Sequence, residues 1–100
     1  MLDGLSGLFS SRVRLDVVAA LLSGPKSFTT LKQLTGATDG NLGRQLEVLV
    51  QAGAVAGERA LLGKRGRTTY SLTPSGRAGF RAYVEALEAL LAQGEEQQQE

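Results

Sequence analysis

Cysteine and histidine are both absent from the 100 residues. Their absence excludes disulfides, thiolate nucleophiles, thiolate or imidazole metal ligands and the commonest general acid–base side chain. Carboxylates remain, but the ten acidic residues are scattered, with no paired-carboxylate spacing and no oxygen-ligand calcium loop. The sequence therefore reads as that of a non-enzymatic protein that needs no cofactor and no metal. Long apolar runs are missing too. The longest, Val17 to Leu22, is far below the roughly 20 residues that cross a bilayer, so no membrane partner is expected. The N-terminal Met-Leu-Asp lacks the basic leader of a secretory signal, and a cytoplasmic protein is expected.

What is present suits one small domain. Apolar residues make up 42% and charged residues 21%, the balance of an ordinary globular chain, and a second independent core would be too small to hold itself together. Residues 1–94 are expected to form that domain. The closing Glu-Glu-Gln-Gln-Gln-Glu of residues 95–100 reads as a disordered polar tail. The net charge of +1 is unevenly distributed: residues 1–73 carry nine Lys and Arg against five acids, whereas residues 74–100 carry two Arg against five Glu. A basic body is thus followed by an acidic end, and only the placement of the charges can argue for a polyanion partner.

Periodicity divides the chain into a mainly α protein with a small β-hairpin. Leu2, Leu5, Leu8 and Phe9 recur at helical spacing, broken by Gly4 and Gly7, which predicts a short, weak first helix. A second helix with Val13, Leu15, Val18, Ala19 and Leu22 is stopped by Ser23-Gly24-Pro25. Residues 27–36 form the third, with Phe28 ahead of inward-facing Leu31 and Leu34. A polar turn leads into a fourth, capped by Thr38, with Leu42, Leu46, Leu49 and Val50 on one face. Gly40, Asn41, Arg44, Glu47, Val48 and Gln51 form the other face. Two strand-like runs follow, Ala54–Leu62 and Thr68–Thr73, around the glycine-bracketed turn Gly63-Lys64-Arg65-Gly66. Thr73 as N-cap and Pro74 at the first helical position open the last helix, which is expected to fade at Gly94.

Short helices, a two-stranded hairpin with a basic tip, then a final helix is the element order of a winged helix-turn-helix. A helix about 10–12 Å across fits the major groove of duplex DNA, and a hairpin beside it can lay arginines along phosphates. Three stretches carry a resemblance to a known group. They are Phe28-Thr29-Thr30-Leu31-Lys32-Gln33-Leu34-Thr35-Gly36, Asn41-Leu42-Gly43-Arg44-Gln45-Leu46, and Leu49-Val50-Gln51-Ala52-Gly53-Ala54-Val55. With Tyr70-Ser71-Leu72-Thr73-Pro74-Ser75-Gly76-Arg77 after the hairpin, the chain resembles winged-helix transcriptional regulators of the MarR and ArsR type over about residues 11–92. The step from Leu72 to Arg77 is the most specific mark.

The resemblance implies a homodimer on a pseudo-palindromic operator in double-stranded DNA. Thr38, Asp39, Asn41, Arg44 and Gln45 would face the major groove. Lys64, Arg65 and Arg67, with Arg59 on the incoming strand, would form the wing contact. Each has a plainer role beside it: Asp39 fits helix capping, Gln45 fits packing at the flank of the leucine stripe, and basic residues suit any exposed turn. Arg12 and Arg14 could reach phosphate, and Arg14 equally fits an ion pair within the chain. Gly43 departs from the pattern, standing where such helices more often carry a polar residue. The cysteine and histidine ligands of ArsR-type metal sensors are missing.

Dimerisation is expected through residues 1–9 and 74–94. Leu2, Leu5, Leu8 and Phe9 with Phe80, Tyr83, Val84, Leu87, Leu90 and Leu91 form more apolar surface than a body this small can cover. A cleft near Phe9, Phe80 and Tyr83 could hold an apolar effector, although core packing explains the same residues. The alternative to a DNA-binding regulator is a winged helix used only for protein interaction, which the modest charge and Gly43 keep open.

Overall fold

The computed structural model describes residues 7–62 and 65–98, which excludes Leu2, Leu5 and Lys64. A single 3-10 turn, Gly7–Phe9, precedes helix α1 (Arg12–Leu21). Strand β1 (Lys26–Ser27) leads straight into α2 (Phe28–Thr35), and α3 spans Asp39–Gln51. Strands β2 (Val55–Leu62) and β3 (Arg65–Leu72) form a hairpin, and α4 (Pro74–Gln98) closes the chain. The three strands make an antiparallel sheet of order β1-β3-β2.

Local chemistry fixes each helix start. Ser11, Ser27 and Thr38 stand in extended conformation and accept from the amides of Arg14, Thr30 and Asn41, supplying partners that the first turn lacks. Gly36 ends α2 in the left-handed region at φ 70°, its N–H bonded to Lys32 O at 2.9 Å. That turn swings the chain from α2 into α3, and a side chain with a Cβ would be strained there.

Val17, Val18 and Leu21 of α1, Leu31 of α2, and Leu42, Leu46 and Leu49 of α3 interlock in one core with Phe9, Ala54 and Val55. Several sequence expectations shift here. On α1 the buried face runs through Val17, Val18 and Leu21, whereas Ala19 and Leu22 are exposed. Leu34 is 59% exposed, not inward, and Val50 lies outside the α3 stripe at 40%. Leu34 lies about 60° around α2 from Leu31 and Val50 about 100° around α3 from Leu49, so a nearby apolar spacing did not suffice to bury them.

The sheet is larger than the sequence suggested. Strand β1 was not anticipated, because two residues carry no period; it exists by pairing Lys26 with Tyr70 and Ser27 with Thr69. The hairpin is also longer. Arg65, Gly66 and Arg67, read as turn and connection, pair with Leu62, Leu61 and Ala60. Backbone hydrogen bonding continues where side chains give no alternating pattern. Tyr70 packs against the core from β3, and burial pushes its phenol above the ordinary tyrosine value.

Helix α4 runs through Gly94 to Gln98, rather than fading into a tail at residue 95. At 25 residues it is about 37 Å long. The molecule extends 65 × 25 × 21 Å, with a radius of gyration of 16.0 Å against about 13 Å for a compact chain of this size. It is a small core with a long projecting helix.

Candidate nucleic-acid interface

The step from the hairpin into α4 shows how the elements are locked. Thr73 Oγ1 lies 2.6 Å from Gly53 O, Ser75 Oγ donates to the same carbonyl at 3.0 Å, and Thr73 N donates to Ala54 O at 3.0 Å. In turn Gly76 N donates to Thr73 Oγ1 at 2.9 Å, making Thr73 the cap of α4. A Cβ on Gly76 would stand 2.8 Å from Ala54 Cα, closer than real contacts allow, so only glycine fits. The Leu-Thr-Pro-Ser-Gly stretch is thus a clamp joining α4 to the α3–β2 turn. It places the hairpin beside α3.

Around the front of α3 the candidate residues divide by what already holds them. Thr38 caps the helix through Asn41 N at 3.2 Å. Asp39 pairs with Lys32 of α2 at 2.7 Å, an exposed contact that closes the turn between the two helices. Such a pair contributes well under about 1 kcal/mol, so its effect is chiefly on charge, cancelling Asp39 where an anion would approach. Lys32 was not singled out from sequence, since nothing in its spacing marks it as facing Asp39. Gln45 donates from Nε2 to Asn41 Oδ1 at 3.1 Å and accepts from Arg14 Nη1.

Arg44 is exposed and has no hydrogen bond or ion pair among the described residues. Glu47, one turn further along α3, accepts from Gln51 Nε2 at 3.3 Å. A guanidinium left unpaired and hydrated keeps its full charge for an external anion. Gly40 and Gly43 have open space where a Cβ would be, so no packing within the chain requires glycine at either position.

On the hairpin, register separates the basic residues. Arg59 pairs with Thr68 and Arg67 with Ala60, on adjacent rungs, so the two arginines project from opposite faces of the ribbon. The Arg59 guanidinium lies over Gly66, within 2.8 Å of where that residue's Cβ would stand. Glycine there gives the arginine a path along the ribbon. Arg67 is exposed, and neither arginine has an ion-pair partner among the described residues. Arg65 is placed by its backbone pairing with Leu62, and Lys64 lies outside the described residues. Of the two N-terminal arginines, Arg12 pairs with Asp16 at 3.0 Å, and Arg14 is engaged wholly within the chain.

The apolar residues expected at a dimer interface also divide. Phe9 is 3% exposed and packs on Phe80 and Tyr83, with ring centroids 5.5 and 5.4 Å away; Leu8 packs against the same core. These aromatic rings fill one another's space. An open groove of about 300 Å³ lies on the other side of Phe80, between Leu22 at the end of α1 and Arg77, Arg81, Val84, Glu85 and Glu88 of α4. Beyond Tyr83, Val84, Leu87, Leu90 and Leu91 are 36–64% exposed.

Comparison with known proteins agrees with this geometry. The winged helix DNA-binding domain family matches residues 13–91. The chain belongs to this family. An uncharacterized protein of Methanocaldococcus jannaschii is 34% identical over 79 residues, covering 77% of this chain and 85% of that protein. Among solved structures, the transcriptional regulator homologue from Pyrococcus horikoshii OT3 superposes with a TM-score of 0.79 at 25% identity, covering 87% of each chain. A protein assigned to the MarR family of transcriptional regulators from Enterococcus faecalis V583 gives 0.68 at 28% identity, covering 92% of this chain and 80% of that one. In winged-helix terms α2 and α3 stand where the helix-turn-helix does, α3 in the place of the recognition helix, and β2–β3 in the place of the wing. The expected MarR-like winged-helix regulator fold is the one found, and no described helix is long and apolar enough to cross a membrane.

Proposed function

We propose that this winged-helix protein is a homodimeric transcriptional regulator that reads a short inverted repeat in double-stranded DNA, acting where that DNA is, in the cytoplasm. The observation that carries the reading is Arg44 on the exposed face of α3, beside a wing that carries Arg59 and Arg67, all three side chains without an ion-pair partner among the described residues. Groove entry by α3 would set Thr38, Asn41, Arg44 and Gln45 near base edges or phosphates, while the wing follows an adjacent backbone. Asp39 is held by Lys32 and serves the turn more than the groove. The uncovered Val84, Leu87, Leu90 and Leu91 support pairing of two copies through α4, which would place two recognition helices about 34 Å apart. No catalytic role is proposed.

Fluorescence anisotropy on a random duplex pool at low and moderate salt tests this directly. Affinity that falls steeply as salt rises is the expected result, because neutralised phosphates release counterions. Absence of binding even at low salt would leave the protein-interaction module as the function of the fold.

A further inference from the structure

Arg14 sits on α1, away from the front of α3, yet its guanidinium reaches both the start of the chain and the recognition helix. Its Nε donates to Leu8 O at 2.6 Å and its Nη2 to Gly7 O at 3.0 Å. The remaining arm, Nη1, donates to Gln45 Oε1. From there Gln45 Nε2 donates to Asn41 Oδ1 at 3.1 Å.

The direction of this chain of bonds is set at one end. A guanidinium has N–H donors and no acceptor, so Gln45 must turn its oxygen toward Arg14. Its nitrogen is then the end that meets Asn41, and Asn41 must answer with its oxygen. Both amides are therefore oriented by a residue on a different helix. The two Nδ2 hydrogens of Asn41 are left without a partner among the described residues, at the face of α3 next to Arg44.

Resting on the reading that α3 enters the major groove, we propose that Arg14 is a positioning residue for sequence choice: it polarises Gln45 and Asn41 so that the recognition helix presents amide donors. A free asparagine can turn either end outward and grip adenine with both. With one lone pair of Oδ1 engaged by Gln45, Asn41 favours a base edge made of acceptors. Guanine offers N7 and O6 and thymine offers O4, whereas cytosine offers the N4 donor. One position of each half-site is accordingly guanine or thymine, with cytosine disfavoured by about tenfold or more.

Selection of bound sites from a random duplex pool tests this with the wild type and four variants. Wild type shows the preference and Asn41→Ala loses it. Arg14→Lys, still donor-only, keeps it; Arg14→Gln, which can donate or accept, erases it without changing the salt dependence of non-specific binding. Gln45→Glu covers the chance that Arg14→Gln misfolds. The new carboxylate still satisfies Arg14 but cannot donate to Asn41, so Asn41 reverses and the preference moves toward cytosine. Retention of the wild-type preference in Asn41→Ala or Gln45→Glu would overturn the proposal. So would a salt slope that drops by about one unit in Arg14→Gln, since that marks a phosphate contact. Wild type that binds no duplex at any salt overturns the groove reading itself, whereas binding with unaltered preference in the variants overturns only the role of Arg14.

Discussion

Arg44 and Gly43 are neighbours on α3, and neither residue is required by the fold. Arg44→Ala removes an exposed guanidinium that has no hydrogen bond or ion pair among the described residues, so folding stability stays within about 0.5 kcal/mol. Binding to the selected site is expected to weaken by about 1–3 kcal/mol, with random DNA affected less. Equal losses on both would make Arg44 a phosphate contact. At Gly43 the expectation runs the other way. A Cβ there meets open space, and glycine inside a helix costs about 1 kcal/mol relative to alanine. Gly43→Ala should therefore raise the thermal midpoint by about 4–8 °C for a domain of this size, read by circular dichroism. If the gain in stability comes with weaker DNA binding, the bare backbone at Gly43 serves close approach to the duplex.

Helices, turn and wing share one core, and the clamp at Thr73 adds a concentrated set of hydrogen bonds to it. Thr73 caps α4 and meets the Gly53 and Ala54 carbonyls at the end of α3. Thr73→Val preserves shape but deletes the hydroxyl, leaving the Gly76 amide uncapped. The expected cost is about 1–2 kcal/mol in urea unfolding, with Thr73→Ser close to wild type. Gly76→Ala should cost more, because the nearest atoms are the Ala54 backbone and cannot turn aside. Indifference to both substitutions would mean that the hairpin and α4 are positioned by the core alone. The motif that most strongly marks the family in sequence is thus a joint between elements, remote in role from base reading.

For the whole molecule, the decisive feature is a helix that outruns its own body. Phe80 and Tyr83 close on Phe9, and past them α4 carries Leu87, Leu90 and Leu91 at 42–64% exposure. Spacings of three and four set Val84, Leu87 and Leu91 along one face, the arrangement that a second helix covers. Replacing Leu87 and Leu91 together by Glu is expected to give a monomer in sedimentation equilibrium while circular dichroism still shows a folded core. Affinity for an inverted repeat should then fall toward that for a single half-site. A double variant that remains dimeric would move the interface away from the distal part of α4.

The sequence by itself determined the order of the main helices and the hairpin, the caps Thr38 and Thr73, and the core stripe Leu42, Leu46 and Leu49, because caps and helical periods are local chemistry that neighbours alone decide. It also pointed to Arg44 and the basic wing. It could not show that Arg14 orients Gln45, that Lys32 closes on Asp39, or that Arg59 and Arg67 leave the ribbon on opposite faces. Each of those depends on which atoms meet across elements, and spacing along one element carries no record of it. Strand β1 is the same lesson for the backbone: two residues became a strand only because β3 lay beside them. Phe9 shows it for packing, since apolar spacing near a terminus is identical for a residue that faces a partner and one that closes its own core. Tertiary structure decided between them by bringing Phe80 and Tyr83 over the ring.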